Sequence, residues 1–299
     1  MLLLCLFPVL VITLTFLFAV LLVFFMTKES GYVDLWGQSL SVVQHLAPSI
    51  LGGVVVWFLI ACFTHTAIIR SATGARPLER RENKRVYNLV ENLCMTQGMA
   101  MPKINIINDD SLNAYASGIN NRTYTVALSR GIIEKLDDDE LESVIAHELS
   151  HIRNRDVRLL IVSIVFVGIF AMLSQLAFRA LFYAPRRNRS GKSGGGMLVL
   201  LLIILLVAVV GYFFASLMRF AISRKREYMA DAGSAEMTHK PLALANALRK
   251  ISRNPDIEAV KRSDVAQLFI EHPRKSSGIT GLFATHPPIE KRIAVLEQF

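Results

Sequence analysis

Cysteine is scarce in this chain: Cys5, Cys62 and Cys94 are the only three in 299 residues. They are too few and too scattered for a disulfide framework, so no oxidising compartment is implied. Charge is missing from long stretches. Leu2–Met26, Ile50–Ile69, Leu159–Phe178 and Met197–Met218 contain no Asp, Glu, Lys or Arg, and about 20 apolar residues suffice to cross the hydrocarbon core. Aromatic residues are absent from the basic run "RSATGARPLERRENKR" after the second block. That argues against nucleic-acid binding, which wants base-stacking rings among the charges. No basic residue precedes the first block and "MTKESGY" lacks a small-x-small cleavage site, so the block is expected to stay as a span rather than leave as a signal peptide. No internal repeat is visible.

What remains is apolar: 53% of the residues are hydrophobic and mean hydropathy is positive. The chain reads as a mainly α integral membrane protein with four hydrophobic helical segments and a polar part. Residues 27–49 carry one lysine, Lys28, whereas the second block is followed by the basic run, which places that second flank in the cytosol. Juxtamembrane Arg and Lys facing an anionic leaflet account for the net charge of +9. The linker "APRRNRSGKSGGG" between the third and fourth blocks holds four basic residues, against the charge rule for a crossing hairpin; block length still favours crossing, with "GKSGGG" as its flexible tip.

The expected organisation is two spans over 1–69, a first polar piece over 70–157, a hydrophobic hairpin over 158–222 and a second polar piece over 223–299, the polar pieces folding together. Val86, Leu89, Val90 and Leu93 predict an amphipathic helix over 83–95. "KINIIN", "LNAYASG" and "TYTVALS" predict strands, the last two joined across "INNR", where Asn120 and Asn121 tolerate positive backbone angles. "LDDDELESVIAHELSHIRNRD" opens with capping aspartates and buries Leu141, Val144, Ile145, Leu149 and Ile152 on one stripe. It is expected to run through Asp156 into the third block.

That helix carries His147 and His151 four positions apart with Glu148 beside the first. Positions i and i+4 share a face, so both imidazoles can reach one ion; a catalytic zinc takes three protein ligands and leaves a place for water. Glu148, about 100° round the helix, can take a proton from that water. Alone, the pair is equally a polar patch on a helix. Glu227 and Asp231 in "SRKREYMADAGSA" are again one turn apart: Glu227 would complete the shell and Asp231 would hold a histidine N–H, or both belong to a solvated acidic face balanced by Arg224, Lys225 and Arg226. Asn154 and Asp156 are expected to anchor the helix to neighbouring loops. His286 precedes two prolines that bar a helix there; it donates to an oxyanion, braces the metal shell or is structural. His45, His65, His239 and His272 lack partners at ligand spacing. Residues 252–280 have the composition of a flap.

"HELSHIRNRD" at 147–156, "LNAYASG" at 112–118, "SRKREYMADAGSA" at 223–235 and "ATHPPIEKRI" at 284–293, with four apolar segments, resemble the HtpX-type membrane metalloproteases, relatives of the CAAX prenyl-protein endopeptidases. The resemblance spans nearly the whole chain and is weakest at 184–196. It implies a cytosolic zincin-like (gluzincin) α+β domain with a small sheet, in a multi-pass protein of the bacterial inner membrane that degrades damaged or misfolded membrane proteins under stress. It also implies one Zn²⁺ held by His147, His151 and Glu227, with Glu148 as general base; Asn113, Asp231 and His286 fall within the family's motifs. A strand at Asn113, Ala114, Tyr115 and Ala116 could offer its edge to an extended substrate backbone, or be a plain edge strand. Partners implied are membrane-protein or unfolded-polypeptide substrates and the bilayer, with quality-control proteases and further copies of the chain left open. Two other readings share these residues: a non-catalytic scaffold or sensor stapled by zinc, and a processing protease for prenylated substrates.

Overall fold

In the computed structural model, residues 2–27, 34–183, 193–253 and 287–299 are described. The chain divides into two compact units, one of residues 1–61 and 163–218, the other of residues 62–162 and 219–299.

The first unit is built from α1 (Leu2–Thr27) and the apolar parts of α2 (Leu35–Thr73), α6 (Asp156–Tyr183) and α7 (Ser193–Thr238). Among the described residues these four helices are long and apolar enough to cross a membrane. Helices account for each of the four uncharged blocks, but α2 begins fifteen positions before Ile50, since 50 − 35 = 15, and runs through Pro48 without ending. Gly211 of α7 lies so close to Phe170 of α6 and Leu14 of α1 that a side chain there would run into both. Val55, Leu59, Leu202, Leu206 and Phe213 remain exposed, a surface that suits hydrocarbon rather than water.

The second unit packs helices on a four-stranded sheet. β1 (Arg76–Pro77), β2 (Lys103–Ile107), β3 (Ala114–Ser117) and β4 (Thr125–Ser129) lie in the order β1-β2-β4-β3. β2 and β4 are parallel and β3 and β4 antiparallel, with Ala116 opposite Val126. Among the described residues β3 is therefore an edge strand. The β3–β4 turn works differently from expectation: Asn120 and Asn121 keep ordinary backbone angles, and Gly118 takes the positive φ of 116°. Asn120 staples the turn with its side chain, accepting from the backbone N–H groups of Arg122 and Thr123, an Asx turn that needs no left-handed residue.

Helix α3 (Lys84–Thr96) is capped by Asn83 and buries Val86, Val90 and Leu93, and short α4 (Arg130–Lys135) is capped by Ser129. α5 (Asp138–Arg153) starts from a capping box in which Asp137 accepts from Glu140 N–H and Glu140 reaches back to Asp137 N–H. Its apolar stripe is buried throughout. The helix does not run on into the third block, however. It stops at Arg153, Arg155 adopts a left-handed φ of 61°, and α6 starts afresh at Asp156. No glycine or proline marks this break, which is why the sequence reads as continuous.

Small residues set the spacing between α5 and α7. Ser234 Oγ donates to the Ser143 carbonyl at 2.6 Å, a side chain at Gly233 would run into Ser150, and Ala146 and Ala230 are fully buried. α8 (Pro241–Ile251) and α9 (Ile289–Leu296) complete the core, with Leu244, Leu248, Ile251 and Leu296 buried.

Candidate metal centre

α5 and α7 bring three donor groups together. His147 Nε2 lies 3.2 Å from His151 Nε2, 3.7 Å separate His147 Nε2 from Glu227 Oε2, and 3.5 Å separate His151 Nε2 from Glu227 Oε1. Among the described residues, this is the group of histidine, cysteine and acidic side chains that could hold a metal ion. The spacings fit one. Ligands about 2.0–2.1 Å from a tetrahedral zinc stand roughly 3.3–3.4 Å apart.

The imidazoles are set for that task from behind. His147 Nδ1 lies 3.0 Å from Asp231 Oδ1, and His151 Nδ1 lies 3.2 Å from Asp156 Oδ2. With both Nδ1 atoms beside carboxylates, the two Nε2 atoms face each other. A Lewis acid between them is the arrangement's natural complement.

Each carboxylate has an arginine. Arg292, 1% exposed, donates Nε to Asp231 Oδ2 at 2.9 Å and a terminal nitrogen to Oδ1 at 2.7 Å, and stands 3.4 Å from Glu227. Arg226 donates to Asp156. Burial works against ionisation of Asp231, but Arg292 and His147 outweigh it and hold the carboxyl well below the usual range. Burial also depresses His147. At His151 it is outweighed by Asp156, Glu227 and Glu148, which push the imidazole up to about 9.

Glu148, 2% exposed, lies beside the backbone of Ala116 on the edge strand, which favours its ionised form. Burial, with help from the Glu227 charge, pushes its carboxyl up to about 7, within range of proton exchange at neutral pH.

The remaining candidate residues fall in several places. Asn113 precedes β3 and is held through its backbone by Ser129, its Oδ1 accepting from Ala114 N–H. Tyr115 is buried and its hydroxyl lies 3.0 Å from Thr73 Oγ1 at the end of α2. Asn154 reaches back to Ser150 Oγ at 3.4 Å, whereas Asp156 turns to His151 and Arg226 instead of a loop. His286 lies outside the described residues, as do 184–192 of the hairpin linker and 254–280 of the flap.

Arg292 was not singled out by sequence reasoning, yet a signal exists. Ile289, Arg292, Ile293 and Leu296 follow the i, i+3, i+4, i+7 spacing of a buried stripe, so an arginine occupies a core position and needs a buried anion. Arg292→Leu would leave Asp231 and Glu227 buried without that counter-charge. We expect a loss of about 3–5 kcal/mol, read as a lower midpoint in denaturant; an unchanged midpoint would contradict the pairing.

The model of peptidase family M48 matches residues 80–299, which include the whole cluster. Over 304 aligned residues the chain is 67% identical to a Protease HtpX homolog of Bacteroides fragilis, covering 99% of this chain and 94% of that protein. A Protease HtpX homolog of Dictyoglomus turgidum is 40% identical over 250 residues, 81% of this chain and 80% of the relative. Among solved structures the crystal structure of S. mikatae Ste24p is similar, with a TM-score of 0.50 and 19% identity, covering 93% of this chain and 61% of that one. At that identity the likeness concerns the fold, and the chain spans about three-fifths of the Ste24p chain. A family match containing every candidate ligand, and a relative this similar over nearly the full length, place the polypeptide: it belongs to peptidase family M48 and is a membrane-bound metalloprotease.

Proposed function

We propose that the chain is a zinc-dependent endopeptidase that cleaves misfolded or damaged membrane proteins at the cytosolic face of a bacterial inner membrane. The observation that carries the catalytic part is the cluster of two imidazole nitrogens and one carboxylate, 3.2–3.7 Å apart, beside a buried glutamate. Two nitrogen ligands and one oxygen ligand suit zinc.

His147, His151 and Glu227 would hold the ion. Bound there, zinc supplies a Lewis acid that polarises the scissile carbonyl and makes water a better nucleophile at neutral pH. Glu148 takes the proton from the attacking water and delivers it to the leaving amine. Asp231, held by Arg292, sits behind Nδ1 of His147 and leaves Nε2 to face the ion. Ala116 of the edge strand lies beside the Glu148 carboxylate, so a substrate backbone laid along β3 would reach the proton acceptor. Recognition through the backbone requires no particular side-chain sequence, which suits damaged polypeptides of many kinds.

Placement is supported by the chain itself. Glu227 stands 227 − 216 = 11 residues past the last residue of one candidate span, on the same unbroken helix, and Asp156, bonded to His151, is the first residue of another. The basic flank after the second block supports a cytosolic site. A zinc staple alone would need no buried carboxyl beside the ion.

The test uses the full chain in detergent or nanodiscs with an unfolded casein-type polypeptide. Removing metal with a chelator abolishes cleavage, and one equivalent of zinc restores it; cleavage that persists in metal-stripped protein would overturn the reading.

A further inference from the structure

The left-handed residue at the α5–α6 junction and the ion pair beneath His151 point to a device that the reaction chemistry does not require. On an uninterrupted helix, a residue five positions after His151 would lie about 140° round the axis and could not approach it from behind. The chain breaks at Asn154, Arg155 takes its φ of 61°, and Asp156 swings back to place Oδ2 3.2 Å from His151 Nδ1. A non-glycine residue in that region is uncommon and held there by its surroundings. The surroundings include Arg226 of α7, which donates to the other oxygen of Asp156 and directly precedes Glu227 in the chain. Asp156 is itself nearly buried, 9% exposed.

We propose that Asp156, backed by Arg226, is the positioning residue of His151, so that the first turn of α6 and the polar end of α7 jointly set the orientation of one imidazole in the metal-binding cluster. The proposal rests on the zinc reading above. The His147 support comes from α7 and the C-terminal α9, whereas the His151 support comes from the two helices that also carry candidate spans. One register ties them: Arg226 and Glu227 are consecutive on α7, so a rotation or slide of α7 relative to α6 displaces the carboxylate donor and loosens His151 together. A carboxylate in the first turn of α6 also faces the positive end of that helix, so a test must separate support of α6 from orientation of His151.

Full-length wild type and the variants Asp156→Asn, Arg226→Gln, Arg226→Lys and, as a control, Glu236→Gln are compared in detergent. Glu236 is exposed and pairs with Arg153, away from both relays. The readouts are zinc affinity by competition with a chromophoric chelator, the d–d spectrum of the Co²⁺-substituted protein, and the thermal midpoint. Asp156→Asn is expected to weaken zinc binding by roughly 10–100-fold and shift the Co²⁺ bands, and Arg226→Gln to act in the same direction. Arg226→Lys restores most of the affinity, since a single charged donor suffices at Asp156, and Glu236→Gln leaves affinity and spectrum unchanged. Should Asp156→Asn fail to fold, the Arg226→Gln and Arg226→Lys pair decides alone. If wild type binds one zinc and His151→Ala loses it, while Asp156→Asn and Arg226→Gln match wild type in affinity and spectrum, the positioning role is overturned and the zinc reading stands. If wild type binds no stoichiometric zinc, both are overturned.

Discussion

Glu148→Gln is expected to yield a folded chain that still binds one zinc but cleaves an unfolded polypeptide roughly 10²–10⁴-fold more slowly. The substitution keeps the volume and one carbonyl oxygen of a side chain that is 2% exposed, so the core need not repack. What it removes is the group able to accept and release a proton. Because Glu148 lies beside the Ala116 backbone, a glutamine of the same shape leaves the edge strand in place. The loss should therefore fall on kcat, with KM nearly unchanged. Purified variant and wild type, assayed for turnover and metal content together, check this; equal turnover would remove Glu148 from the mechanism, and loss of zinc would make it a structural residue.

Glu227→Ala carries the second large effect, this time on the metal. Two imidazoles from one helix turn would remain, but the donor that links α7 to α5 would be gone, and removing a direct ligand should cost more than the roughly 10–100-fold typical of the groups behind ligands. Zinc content is expected to fall from one per chain to near zero after dialysis, with cleavage lost in parallel. The fold should survive: Arg292 stays neutralised by its two bonds to Asp231, and the seam of Ser143, Ser150, Gly233 and Ser234 does not involve Glu227. Zinc retained at wild-type affinity would show that the third donor lies elsewhere.

Both effects depend on residues that periodicity and spacing made readable. Two histidines one turn apart on a helix with a buried stripe, and a glutamate and an aspartate one turn apart on a second helix, are local patterns. The uncharged blocks were equally plain, because about 20 consecutive residues without charge match the thickness of a bilayer and leave no polar face for water. Opaque features were those whose cause lies across the fold. The break at Asn154 has no glycine or proline to announce it; it is stabilised by Asp156 meeting His151 and Arg226, seventy positions away. Arg292 finds Asp231 across 61 positions, and only its place in an apolar stripe hints that it is buried. β1, two residues long, is defined by pairing with β2 and not by its own composition. The turn at Asn120 shows a finer limit: the residue type was informative, but it acts through its side chain rather than its backbone.

The same distinction explains how a membrane peptidase can build its site from separated pieces. Small residues fix the distance between α5 and α7, two arginines neutralise the carboxylates that hold the imidazoles, and the donors then converge.

The central claim is that His147, His151 and Glu227 enclose one zinc ion. Zinc K-edge X-ray absorption on the purified full chain tests it most directly. The expected result is a shell of nitrogen and oxygen atoms at about 2.0–2.1 Å with the outer scattering of two imidazoles; a sulfur shell at about 2.3 Å, or no imidazole scattering, would contradict it.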